Sequence, residues 1–391
     1  AWDEEYESNN WVWAEAQRTQ LLGWSFNSIA YLSTIGWTES RDMWTDTRLY
    51  TRIEMPYTAT IFFVAHGDID YAVENDGYVY EEERYPDVWS DDWFEKADLR
   101  AEKVCGRVAA DPFLLGYYMG SEPAFQYTTR GGWIDRLIGL EEDAPGKQQW
   151  VELMAELYAD ADDFNAVYED SLGWSIVDFD DLYDVTDLGL VKPDAAAFMF
   201  RIADRYGSVT KAKTRKYDPE GILFGPRFDC SKDNVSKTVL DALEPYTDAW
   251  CFNDYGERMD TWDDVYAFYG KPVLISEFTY LGDDTGFNNA PYPRVPDQRA
   301  RGTAYRDRVT KVAARDYTVG IYFHAYYDHG PDGRWRNWGL VDPILDEPYG
   351  DMIQHVVPTN ELVFELHRGN APTDWWKRPD LDYEPAYVPG D

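Results

Sequence analysis

Two glutamates close similar stretches of this chain. Glu122 follows the apolar run LLGYYMGS and precedes Pro123, and Glu277 follows KPVLIS and precedes Phe278. An acid at the end of a buried strand is placed to work on something held beyond the strand. Two such acids facing one cavity supply what glycosidic bond cleavage requires. One carboxyl protonates the leaving oxygen while the other attacks the anomeric carbon, and about 5 Å between them implies retention of configuration. The donor must keep a proton that the nucleophile has lost, so their surroundings must differ. Either acid taken alone is equally an ordinary loop carboxylate; it is the paired placement that gives the hydrolytic reading.

What positions them is a series of short β-rich runs separated by long amphipathic stretches, the pattern of a parallel α/β fold. Strands are expected at about 26–31 (FNSIAY), 58–64 (TATIFFV), 113–119 (FLLGYYM), 221–227 (GILFGPR), 248–254 (DAWCFND), 272–278 (PVLISEF) and 319–326 (VGIYFHAY). Their two faces are both apolar, as in a buried parallel sheet. One helix is expected to start at Ser90 as N-cap, with Asp91 and Asp92 in its first turn and Phe94, Ala97, Ala101, Val104, Cys105 and Val108 on one stripe. Another begins near Pro193 and carries Phe198, Ile202 and Val209 inward.

Seven strands each followed by a helix predict a (β/α)8 TIM barrel over residues 1–370, with Glu122 on its fourth strand and Glu277 on its seventh. The first strand is the one not found. Residues 1–22 read as helix and feed straight into FNSIAY, so the opening strand is expected upstream of Ala1. A doubly wound open sheet satisfies the same alternation. Residues 126–192 exceed an ordinary connection and are acidic, so an excursion over the active face is expected there. Its Asp runs match no EF-hand spacing and read as a solvated face. The tail 371–391, with its prolines and Trp375 and Trp376, is expected to wrap the outside.

Composition narrows the partners. The chain has 391 residues, 73 of them acidic against 36 basic, for a formal charge of -37. Acids comprise 47 Asp and 26 Glu, and bases 24 Arg and 12 Lys, the balance of a surface carpeted with short hydrated carboxylates. That resembles the proteins of salt-loving organisms, whose self-repulsion high salt screens. Nucleic acid is disfavoured as a partner because clustered Lys and Arg are absent. An anionic membrane is disfavoured on the same ground, and no run of 18 apolar residues exists to span a bilayer. The opening AWDEEYESNN lacks the order of a signal peptide. Cys105, Cys230 and Cys251 show no metal-type spacing and read as buried free thiols. No metal or cofactor is called for.

The strand-four and strand-seven pair resembles the glycoside hydrolases of clan GH-A, and several stretches resemble the agarase-type enzymes of glycoside hydrolase family 50. WSFNSIAYLS (24–33) is similar to that family's early strand, and PDVWSDDWFEKADLRAEKVCGRVAADPFLLGYYMGSEP (86–123) to its helix leading into the acid/base strand. KYDPEGILFGPRF (216–228), DAWCFNDY (248–255) and KPVLISEF (271–278) resemble strands five to seven, and GIYFHAYYDHGPDGRWRNWGLVDPILDEPY (320–349) resembles strand eight with its loop. The resemblance implies Glu122 as acid/base, Glu277 as nucleophile, Tyr255 as a hydrogen-bond donor to Glu277, and Asn253 nearby at the substrate. It also implies that a barrel-completing strand and an accessory β-sandwich precede Ala1.

The chain departs from that pattern at the sugar subsite. Ser121 stands where clan members carry Asn before the acid/base, Tyr31 and Leu32 replace a polar and aromatic pair, and Phe323, followed by His324, stands in the place of the usual Trp. The catalytic pair is kept while the pocket is rewritten. His66, with Asp68 and Asp70 just past a strand, suits sugar hydroxyls or an ordinary polar loop. His324 and His329 flank AYYD near the pocket. Arg227 suits a substrate carboxylate or sulfate, or a salt bridge within the protein. Trp335 and Trp338 are candidate stacking platforms for sugar rings. The expectation is therefore a retaining β-glycosidase acting on a polysaccharide or its oligosaccharides, most like a β-agarase. A different polysaccharide, or a carbohydrate-binding barrel without catalysis, is the alternative. Secretion follows from the size of such substrates.

Overall fold

The computed structural model describes residues 10–30, 53–64, 84–125, 132–230, 235–256, 258–285, 292–328 and 336–377. In chain order these hold α1 (Asn10–Gly23), β1 (Tyr57–Thr60), α2 (Asp91–Val108), β2 (Leu114–Tyr118), α3 (Gly132–Ile138), α4 (Pro145–Leu157), α5 (Ala161–Leu172), α6 (Lys192–Tyr217) and β3 (Phe228–Asp229). Then follow α7 (Lys237–Leu243), β4 (Trp250–Asn253), α8 (Met259–Tyr269), β5 (Val273–Phe278), β6 (Leu281–Gly282), β7 (Arg294–Val295), α9 (Gln298–Ala313), β8 (Thr318–Phe323), β9 (Val341–Asp342), β10 (Glu347–Pro348) and α10 (Gly350–His367). The chain divides into two compact units, one of Ala1–Ala59, Ala110–Gly116 and Ala249–Asp391, the other of Thr60–Ala109 and Tyr117–Asp248.

In the first unit β4, β5 and β8 pair in parallel, in that order, with Trp250 opposite Val273 and Val273 opposite Thr318. Every residue of β4 and β5 is buried, as their apolar character on both faces requires. Ile29 forms a parallel bridge to Tyr57, whose N–H donates to the Phe113 carbonyl at 2.9 Å. The helices α9 and α10 pack together behind β8, and Trp375 joins them by lying against Ala313 and Leu366 and donating from its indole N–H to Thr310 Oγ1 at 3.2 Å. The start of the C-terminal tail thus packs on its own unit.

In the second unit the N–H of Ile61 donates to the Tyr118 carbonyl, and parallel bridges join Tyr117 to Leu223 and Ser121 to Arg227. Helix α2 packs on α6. Ser90 caps α2, its hydroxyl accepting from the Trp93 N–H at 3.2 Å, and α6 opens with Pro193 in its first turn. The buried stripe of α2 begins at Trp93, not Phe94. Phe94 is exposed, with the Lys213 ammonium 3.3 Å from its ring centroid, while Trp93 reaches inward to donate to the Phe63 carbonyl at 3.0 Å. A stripe started one residue later has the same helical spacing, so the aromatic with a polar atom to satisfy took the interior.

The acidic stretch after β2 folds into α3, α4, α5 and a 3-10 turn at Phe179–Asp184. Its Asp runs cap these elements. Asp160 accepts from the Asp163 N–H at 3.0 Å, and Asp178 with Asp181 forms a reciprocal capping box. The three cysteines are buried free thiols. Among the described residues no helix is long and apolar enough to cross a membrane.

Helices and parallel strands therefore alternate as the sequence implies, although no closed eight-stranded barrel is formed among the described residues. The expected strand at 221–227 is reduced to bridges at Leu223 and Arg227, followed by the two residues of β3. Gly225, at φ 68°, and Pro226, which has no N–H, interrupt its ladder.

Candidate active site

Glu277 is the fifth residue of β5 and is 7% exposed. Its Oε2 accepts a short hydrogen bond from the Tyr255 hydroxyl, and the Nδ1 of His324 stands 3.9 Å from its Oε1. Its backbone carbonyl accepts from the Asp254 N–H at 2.8 Å, which ties the end of β5 to the turn after β4. One carboxylate is thus met by a phenol on one oxygen and an imidazole on the other, with its main chain fixed by the neighbouring strand.

Each of those partners has its own support. The ring of Tyr255 lies 4.3 Å from that of Tyr292, which in turn packs on Trp338 at 5.8 Å. The His324 ring stands edge-on to Trp338 at 4.7 Å, and its backbone N–H donates to the Phe278 carbonyl at 2.9 Å. Trp338 is 3% exposed and lies beneath the Arg336 guanidinium, so it backs His324 and does not present an open face. Phe323, half-buried, packs edge-on against Phe278 and Tyr305. Asn253 is wholly buried with its Oδ1 accepting from Ser276 at 2.8 Å, which makes it an internal tie between β4 and β5.

The seat of Tyr255 is a buried knot that the sequence reading did not single out. Asp254 accepts from the Trp262 indole N–H at 2.8 Å and from the N–H groups of Gly256 at 3.0 Å and Arg258 at 3.2 Å, and forms a short ion pair with Arg308. Both charges of that pair are at most 1% exposed. The one sequence signal is the Asp-Tyr-Gly turn itself, since aspartate before a tight turn bonds its own following backbone. A second knot holds the segment after β8. Asp328 accepts from Tyr349 at 2.6 Å, Asn337 at 2.9 Å and the Gly339 N–H at 2.6 Å, and burial raises its carboxyl above the usual carboxylate range. Arg301, wholly buried and lowered to about 10 by desolvation, bonds the Gly339 and Tyr280 carbonyls at 2.9 and 2.7 Å.

Glu122 belongs to the second unit and is half-buried just beyond β2. Its backbone sits at φ 51°, a left-handed conformation that is costly for a residue with a side chain and more so before a proline. Its N–H donates to the Arg227 carbonyl at 2.8 Å. Ser121 and Arg227 are both wholly buried, and the guanidinium Nη1 donates to Ser121 Oγ at 3.0 Å while lying 5.4 Å from the Tyr118 ring centroid. Ser121 therefore turns its hydroxyl inward to Arg227. His66, Asp68, Asp70, His329, Trp335, Tyr31 and Leu32 lie outside the described residues. Among the described residues no three His, Cys, Asp or Glu side chains converge as a metal site would require.

No family model matches the chain, and no curated protein matches it. Solved structures do. PfGH50B is similar to it at a TM-score of 0.74 and 23% identity over 93% of this chain and 52% of that one. An exo-beta-agarase gives 0.73 and 22% over 92% and 47%, and the agarase AgWH50C gives 0.73 and 21% over 93% and 51%. A beta-galactosidase from the Antarctic haloarchaeon Halorubrum lacusprofundi gives 0.62 and 14% over 92% and 57%. This chain spans about half the length of the first three. The resemblance to family 50 agarase-type enzymes is thus shared by the three-dimensional structure, whose fold is similar to that of these agarases and of the beta-galactosidase.

Proposed function

We propose that this protein is a retaining β-glycosidase that cleaves β-galactosidic links, agarose-like ones foremost, in a polysaccharide or its oligosaccharides. The observation that carries the reading is the surroundings of Glu277: a strand-end carboxylate held by a tyrosine hydroxyl and faced by a histidine, in a fold similar to agarases and β-galactosidases, two groups that act on β-galactosides. Glu277 attacks the anomeric carbon and forms a glycosyl ester, while Glu122 gives its proton to the departing oxygen as the C–O bond breaks. Glu122 then takes a proton from water, whose oxygen displaces Glu277 and restores the original configuration. The hydroxyl of Tyr255 fixes which carboxylate oxygen is free to attack. The rest of the reading is a (β/α)8 barrel carrying both glutamates at strand ends, an extracellular enzyme, and a surface suited to high salt. Its acid-rich composition supports the last of these.

Release of reducing sugar from a panel of agarose, other galactans, glucans and mannans, in low and high salt, tests the reading. Glu277→Ala abolishes release while leaving the melting temperature in place. An unaffected rate removes Glu277 as nucleophile, and no release from any substrate in any salt favours a carbohydrate-binding protein.

A further inference from the structure

We propose that Arg227 is the positioning residue of Glu122, a role that rests on the hydrolase reading above. Three bonds from this one residue bracket the turn that carries the acid. Its N–H donates to the Gly120 carbonyl at 3.3 Å, its carbonyl accepts from the Glu122 N–H at 2.8 Å, and its Nη1 donates to Ser121 Oγ at 3.0 Å. Main chain and side chain together therefore hold all three residues of Gly120-Ser121-Glu122. Both ends of the side-chain bond are sealed from solvent, where a hydrogen bond from a cation is worth more than on the surface. Tyr118 supports the guanidinium from one side.

The turn needs this support. The left-handed φ of Glu122 is not one that the chain adopts unaided, so the bonds to Gly120, Ser121 and the Glu122 N–H, which fix the backbone entering it, set where the carboxyl points. A second restraint comes from α6: the Tyr206 hydroxyl donates to the Met119 carbonyl, and burial raises its pKa so that it stays a donor. A Cβ on Gly120 would lie 2.8 Å from that hydroxyl, so the glycine allows the approach. Tyr206 anchors the turn from the strand side, while Arg227 sets the direction of the acid.

As a positioning residue Arg227 acts through Glu122, so its loss should damage proton delivery and spare nucleophilic attack. Arg227→Met, Arg227→Lys and Glu122→Ala are compared on a β-galacto-oligosaccharide, whose leaving group needs a proton, and on 2,4-dinitrophenyl β-galactoside, whose leaving group does not. Arg227→Met lowers kcat/KM about 100-fold on the oligosaccharide, the size of loss that misplacing a catalytic group by an Ångström produces, and less than about threefold on the aryl glycoside. Arg227→Lys keeps the charge and recovers part of the loss, and Glu122→Ala shows the same contrast more strongly. Equal losses on both substrates, or no loss on either, overturn the positioning role while leaving the hydrolase reading intact. A wild-type protein that hydrolyses neither substrate overturns both.

Discussion

Arg308→Met cuts the knot beneath Tyr255, and its consequences are both thermodynamic and catalytic. The ion pair with Asp254 is sealed from solvent on both sides, and removing one partner of such a pair costs roughly 3–5 kcal/mol because the other charge is stranded. Asp254 keeps the Trp262 indole and the Gly256 and Arg258 N–H groups, so the lower end, about 3 kcal/mol, is expected. For a chain of 391 residues the unfolding entropy is about 0.8 kcal/mol per kelvin, and the melting temperature falls by about 4 °C. Differential scanning calorimetry measures it. Asp254→Asn combined with Arg308→Met completes a double-mutant cycle, in which the loss in the double variant falls short of the sum of the two single losses by more than about 1 kcal/mol. Activity falls with stability, since the turn carrying Tyr255 is what the knot holds. A melting temperature within 1 °C of wild type, or additive losses in the cycle, refutes the reasoning.

Tyr255→Phe separates function from stability: the ring keeps its packing on Tyr292, so melting is unchanged, while loss of the bond to Glu277 lowers kcat about 10-fold or more in steady-state assays. Lys147 is buried, bonds the Ile138 carbonyl at 2.6 Å and the Val185 carbonyl, and is lowered to about 8 by desolvation. The unfolded chain holds this proton up to about pH 10.4, so at this site more protons are bound unfolded than folded across that interval, and the contribution of Lys147 to stability rises from about pH 8 to 10. Urea midpoints of wild type and Lys147→Met at pH 8 and 10 isolate it: from pH 8 to pH 10 wild type gains stability relative to the variant, and an unchanged difference contradicts the assignment. Raising KCl from 0.1 to 1 M shortens the screening length from about 10 to 3 Å, so a protein of charge -37 melts higher in the stronger salt; a flat or falling melting curve contradicts the halophilic reading.

Strands β2, β4, β5 and β8 were legible because each is a short apolar run, and the two strand-end glutamates followed from β2 and β5. The helix register of α2 was legible to within one residue, since spacing alone does not tell Trp93 from Phe94. The ladder near Leu223 was overread because its apolar residues hide a Gly-Pro pair that interrupts backbone bonding. Least legible were the buried charges. Asp254 and Arg308 are 54 positions apart, and in sequence each resembles the surface acids and bases around it. Ser121 and Arg227 showed as separate residues with separate uses, and only the parallel bridge between them makes one device.

The most direct test is to trap the intermediate. A 2-deoxy-2-fluoro-β-galactoside with a dinitrophenyl leaving group, incubated with the protein and followed by peptide mass spectrometry, is predicted to leave one sugar per chain esterified to Glu277. Turnover with inverted anomeric configuration and no adduct, or an adduct on a different residue, contradicts the account.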